Sequence, residues 1–149
     1  MRMINLQSLS NFEILTVAKS CAAELRKHEA QLIRVLMEID RRRLYLGEGY
    51  PSLFAFLTQH LKFSEASAYK RIAAARVATK HPEALEEIES GRLTLSAIAI
   101  MAKTLNKVED AKPALDKAQG LTSRQLESVL KLRRVNQFFS ALAIAGSPD

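Results

Sequence analysis

Cysteine, tryptophan, proline and glycine are all scarce in this chain. Of its 149 residues one is cysteine, none is tryptophan, four are proline and five are glycine. The lone Cys21 excludes an internal disulfide and any zinc site built on several thiolates. Its place among apolar helical positions predicts a buried, inert thiol. So few helix breakers, set among abundant Ala, Leu, Glu, Lys and Arg, exclude a turn-rich β chain and favour helices. No apolar run approaches the ~18 residues that cross a bilayer, and the N-terminus lacks a secretory pattern. The sequence therefore predicts a cytoplasmic chain with no membrane partner.

Catalytic signatures are missing too. There is no glycine-rich phosphate loop, no nucleophile elbow and no carboxylate pair in an apolar setting. The three histidines, His28, His60 and His81, fall in different elements. No catalytic residue, metal ligand or cofactor is assigned, and the sequence reads as that of a non-enzyme. Glu86 and Glu87 lie on a short acidic helix and read as a solvated face.

What is present is enough apolar residue (48%) to build a core without staples, and an excess of positive charge. The formal net charge is +6 and the pI near 9.7. This charge is sorted by element. Lys62, Lys70, Arg71, Arg76 and Lys80 face a single acid, Glu65, in one stretch, and Glu83, Glu86, Glu87 and Glu89 fill the next.

The periodicity predicts an all-α chain: a long N-terminal helix over 10–46, a helical domain over 50–145, and a frayed tail over 146–149. Ser10 with Glu13 forms a capping box ahead of Ile14, Ala18, Cys21, Leu25, Leu32, Val35 and Ile39, a heptad-like row with His28 in the missing step. Such a row serves either as a core face or as a homodimer seam. Arg41, Arg42 and Arg43 either pair with local acids or assist on phosphates, and LYLGEGYPS breaks the helix. Further on, Thr94 opens a short helix to about Lys103. Capping boxes at Asn106/Glu109 and Thr122/Gln125 open two more, the first interrupted by Pro113. In the last, Phe138, Phe139, Leu142 and Ile144 either close the core or wait for a partner.

Residues 53–80 carry the strongest functional signal. Ser52 caps a short apolar helix, Lys62-Phe63-Ser64 makes a tight turn, and Ser64 caps a small-residue basic helix that His81-Pro82 stops. Leu57, Leu61, Phe63, Ala68 and Ile72 fit the apolar contact of a helix-turn-helix. The second helix would then offer Ser64, Ser67, Tyr69, Lys70 and Arg71 to the major groove of double-stranded DNA. Lys62, Arg76 and Lys80 would sit on phosphates. Lys62 stands where this turn commonly has glycine. Arg71 stands where an aliphatic residue is common, so its stem is expected to lie over the first helix.

The run KFSEASAYKRIAAARVATKHPEALEEIESGRLTLSAIAIMAK resembles the helix-turn-helix region of ParB-type partition proteins. There a serine-rich recognition helix is followed by a proline, an acidic helix and a G-[KR]-L-[ST] turn, here Gly91-Arg92-Leu93-Thr94. From about Leu32 to Leu130 the chain also resembles the helical N-terminal region of bacterial HNH-endonuclease-like proteins. The phrases that carry this are EIDRRRLYLGEGYPSLFAFL, FSEASAYKRIAAARVA and ESGRLTLSAIAIMAK. These resemblances imply a helical fold with DNA as partner, and they do not carry over cleavage. The expected function is a DNA-binding, nucleoid-associated or regulatory protein. The alternatives are a helical interaction or dimerisation module, or the DNA-binding part of a split or truncated HNH nuclease.

Overall fold

Ser10 starts the longest helix through reciprocal bonds. Its hydroxyl accepts from the Glu13 N–H (3.2 Å) and its own N–H donates to the Glu13 carboxylate (3.3 Å). In the computed structural model, which describes residues 5–131, this helix is α1, Asn11–Arg42. It ends four residues earlier than the sequence predicts. Arg43 turns left-handed (φ 53°), and Leu44–Gly47 forms a separate single turn, α2. The rest is α3 (Leu53–Ala55) continued by a π-wound turn Phe56–His60, α4 (Glu65–Lys80), α5 (Glu83–Ser90), α6 (Leu95–Leu105), α7 (Lys112–Ala118) and a helical stretch, α8, over 123–131. The architecture is all-α, with no strand among the described residues. The expectations about Phe138, Phe139, Leu142, Ile144 and the 146–149 tail lie outside those residues.

Helix α4 sits at the centre and packs on α1, α3, α5 and α6. It can do so because its inward positions are small. Ala68, Ala74, Ala75 and Ala78 are buried beside Ile72 and Val77, so neighbouring helices approach on several sides. They join Ile33, Leu36, Leu57, Leu85, Ile98, Met101, Leu105 and Leu115 in one core.

The first helix contributes less to this core than its heptad row suggests. Only Ala30, Ile33 and Leu36 of α1 are buried. Leu25 is 70% exposed, Val35 44%, and Cys21 is exposed as well. The expectation of a buried thiol fails because α4 and α5 cover only the second half of α1, and Cys21 lies ahead of it. The row chosen from sequence also runs beside the true contact face. Two apolar stripes overlap on this helix, and only packing distinguishes them.

The Gly91-Arg92-Leu93-Thr94 turn has a physical reason at each position. Gly91 is left-handed (φ 80°), and a Cβ there would stand 2.9 Å from the Arg26 Nε of α1. Arg92 bonds the Glu87 carboxylate twice (3.0 and 3.3 Å), Leu93 is buried, and the Thr94 hydroxyl accepts from the Ala97 N–H (3.1 Å). Glu87 is thus not on a solvated face. It is 8% exposed and also accepts from the Gln119 amide (3.2 Å), tying α5 to the residue that ends α7.

The Asn106/Glu109 box does not form, because α6 runs on through Leu105 and Asn106 becomes its C-cap. Helix α7 starts only at Lys112, which places Pro113 in a first turn where its missing N–H costs nothing. Thr122 and Gln125 do form their box (2.8 and 3.1 Å). His81 is buried, and its Nε2–H donates to the Leu105 carbonyl (2.8 Å), pinning the end of α4 to the end of α6.

Of the three arginines after Asp40, Arg41 and Arg42 both bond the Glu38 carboxylate. Hydrogen bonds from Arg41 and then Arg42 hold that carboxyl at about 2, below its ordinary 4.5. Because the folded value is depressed, the associated stability is present above pH 4.5 and fades as pH falls toward 2. An NMR titration should therefore find the Glu38 midpoint well below the ordinary 4.5 of a glutamate, and a midpoint at 4.5 would contradict the pairing. For Gly91→Ala, the left-handed backbone and the Arg26 contact should together lower unfolding free energy by about 1–2 kcal/mol, measured by denaturant titration. An unchanged midpoint would contradict this account of the turn.

Candidate nucleic-acid interface

The helix-turn-helix geometry begins with the turn between α3 and α4. Leu61 N–H donates to the Phe56 carbonyl (3.1 Å), and Phe63 N–H reaches back to the Leu57 carbonyl (3.0 Å). Between them Lys62 takes φ 64°, the left-handed conformation for which glycine is the easy choice. Ser64 then caps α4 by accepting from the Ser67 N–H (3.1 Å). Leu57 and Ala68 are fully buried, Ile72 nearly so, and Phe63 half-buried. Leu61 is 38% exposed, so it does not join that contact as its spacing suggests. The π-wound turn, with its longer hydrogen-bond step, changes the register of the residues that follow.

The eight residues singled out by sequence divide into two groups. Lys62, Ser64, Tyr69, Lys70 and Arg76 are exposed, and Tyr69 stands 65% open on the outer face of α4. Of these Ser64 has its hydroxyl engaged in the cap, and the remaining three have side-chain partners within the fold, Lys80 while still exposed. Arg71 is paired with Glu29 of α1 (2.9 Å), with side chains only 17% and 21% exposed. It also donates to the Ser67 carbonyl (3.2 Å) and hydroxyl, and its guanidinium lies 4.7 Å from the centre of the Phe63 ring. Ser67 is thereby occupied as well. Lys80 donates to the Asn106 carbonyl (3.0 Å) at the end of α6. Arg71 does not lay its stem over the first helix as expected: its guanidinium covers Phe63 of the turn and pairs with Glu29 of α1, which leaves its reading as a groove contact without support.

Two concave surfaces flank Tyr69. One, of about 510 Å³, is bounded by Tyr69 and Lys70 of α4, Ser96, Ile100 and Lys103 of α6, and Ser123, Glu127 and Lys131 of α8. The other, of about 400 Å³, lies between Tyr69, Ile72 and Arg76 of α4, Lys103 and Asn106 near the end of α6, and Asp40, Tyr45 and Pro51–Phe54. Lys103 borders both. Together they form one surface in which Lys70, Lys103, Lys131 and Arg76 outnumber Glu127 and Asp40, with serine hydroxyls and the exposed rings of Tyr69 and Phe54 among them. Cations, hydroxyls and rings at this density suit phosphate oxygens and base or sugar faces.

Lys103, Lys131, Ser96 and Ser123 were not singled out from sequence. The signal for α6 was available: Ser96, Ile100 and Lys103 recur at spacings of four and three, one face of a helix. Nothing in the sequence said that this face lies beside Tyr69. Among the described residues no group of three or more His, Cys, Asp or Glu side chains could hold a metal ion, and no helix is long and apolar enough to cross a membrane. Comparison with protein-family models, curated proteins and solved structures finds no match to this chain.

The partition of Arg71 from Lys70 gives a direct test. Arg71→Ala strands the Glu29 carboxylate in a partly buried site and should destabilise the fold by about 1–3 kcal/mol. Lys70→Ala, one residue away but exposed, should shift the denaturation midpoint hardly at all. Equal effects from the two substitutions would remove the distinction.

Proposed function

We propose that this chain is a non-catalytic protein that binds double-stranded DNA, as a nucleoid-associated or regulatory factor of the cytoplasm. The observation that carries the reading is the basic surface around Tyr69, where α4 and α6 bring Lys70, Arg76 and Lys103 to one side of the molecule. The turn supports it, since Lys62 adopts the left-handed geometry of a helix-turn-helix and Ser64 leaves the start of α4 exposed. The resemblance of its order of residues to ParB-type and HNH-associated helical regions, noted from sequence alone, leans the same way.

In this reading the exposed stripe of α4, Ala66, Tyr69, Lys70 and Arg76, approaches the groove. Lys103 and Lys131 take flanking phosphates, and Lys62 meets the backbone at the turn. Arg71 acts only through the fold, by fixing α4 against α1. With Lys70 the one exposed cation in the first turns of α4, base discrimination rests on few groups and affinity rests mostly on phosphates.

The test is a titration of the purified chain against mixed-sequence duplex DNA at several salt concentrations. With Lys62, Lys70, Arg76, Lys103 and Lys131 each neutralising about one phosphate the log–log salt slope is roughly −4 to −5, and each of Lys70→Ala, Arg76→Ala and Lys103→Ala should flatten it by about one. Lys70→Glu combined with Lys103→Glu should abolish binding while circular dichroism stays unchanged. A folded wild-type chain that ignores duplex DNA at low salt would overturn the proposal.

A further inference from the structure

Helix α1 projects beyond the body that holds it. Its first fully buried residue is Ala30; ahead of it only Arg26 and Glu29 turn polar atoms into the body, and most of residues 11–25, about 22 Å of helix, stay exposed. A free helix of that length is marginal in water unless one face is covered. That face is apolar: Leu15 is 63% exposed, Leu25 70% and Phe12 78%, with Ala18 and Ala22 between them.

Leu15, Ala18, Ala22 and Leu25 are spaced three, four and three apart, the a/d rhythm of a two-helix seam. The same row continues through Glu29, Ile33 and Leu36, where α4 and α5 already cover it. A second helix can therefore lie on the row only up to about residue 28. This limit decides the direction. In a parallel pair, the second copy's α1 would run on into α4 and α5 of the first. In an antiparallel pair its covered half points away, past Asn11.

We propose that two copies of this chain pair through the first halves of their α1 helices, antiparallel, about a two-fold axis near Ser20. This register sets Leu15 against Leu25 of the second copy and Ala18 against Ala22, each twice. Alanines at the centre let the backbones come close, and leucines close both ends. The stripe is self-complementary, as an isologous interface requires. On one flank Phe12 meets Arg26 of the second copy, whose buried Nε has no hydrogen-bond partner among the described residues. There the seam runs into a cleft of about 510 Å³ walled by Leu25, Arg26, Glu29, Ile88 and Leu93, which takes the Phe12 ring. The proposal stands independently of DNA binding.

Light scattering on the full chain should give twice the chain mass. Leu25→Glu, at an exposed position, should return a folded monomer and weaken association on the order of a hundredfold or more. Direction is read by cysteine pairing in a Cys21→Ser background. Leu15→Cys and Leu25→Cys should each fail to cross-link alone and should form a disulfide-linked dimer when mixed. Cross-linking by Leu15→Cys alone would mean a parallel pair and overturn the register. A wild-type monomer at the highest concentration reached overturns the proposal, whether the stripe is bare or covered by residues after 131.

Discussion

The fold depends on one helix being thin. Because α4 carries alanine at most of its inward positions, α1, α3, α5 and α6 can all reach it, and the molecule organises around it as a hub. A leucine-rich α4 would hold its neighbours further apart and bury fewer of them. The same constraint limits what α4 can offer outward. A helix covered on several sides keeps only a stripe free, so Tyr69, Lys70 and Arg76 stay available while Arg71 turns inward to Glu29.

This division explains why α6 belongs to the candidate interface. An isolated protruding helix presents most of its circumference, whereas α4 is flanked by α6 and shares its open side. Lys103, bordering both concave surfaces, is the residue through which the two helices act as one surface. Recognition by such a surface is spread over shape and charge more than over a row of base-reading side chains.

Much of the fold was legible in the sequence, because helix starts are local. Ser10, Ser52, Ser64, Thr94 and Thr122 all cap where their spacing predicts. The errors have a common cause. Asn106 also had the spacing of a cap, but α6 ran two residues past Lys103 and took it as a terminus. Cys21 sat in an apolar row that the body of the molecule does not reach. Of the site, the turn and the exposed half of α4 could be read, since they depend on residues close in the chain. Arg71, Glu87 and Lys103 could not. Their roles are fixed by Glu29, Arg92 with Gln119, and Tyr69, and those pairings that cross between helices exist only once the helices are packed.

The contact between Gly91 and Arg26 links two elements far apart in sequence. The turn after α5 holds Gly91 left-handed, and a Cβ there would meet the guanidinium end of a residue on α1, which would have to move aside to admit it. Neither position is then free to drift alone. Among related chains, a larger residue at 91 should travel with a shorter one at 26, and the loss of that arginine should relax the demand for glycine to its backbone conformation alone. Coupled substitution at these two sites would mark the docking of the long helix onto the body as an inherited feature of the fold.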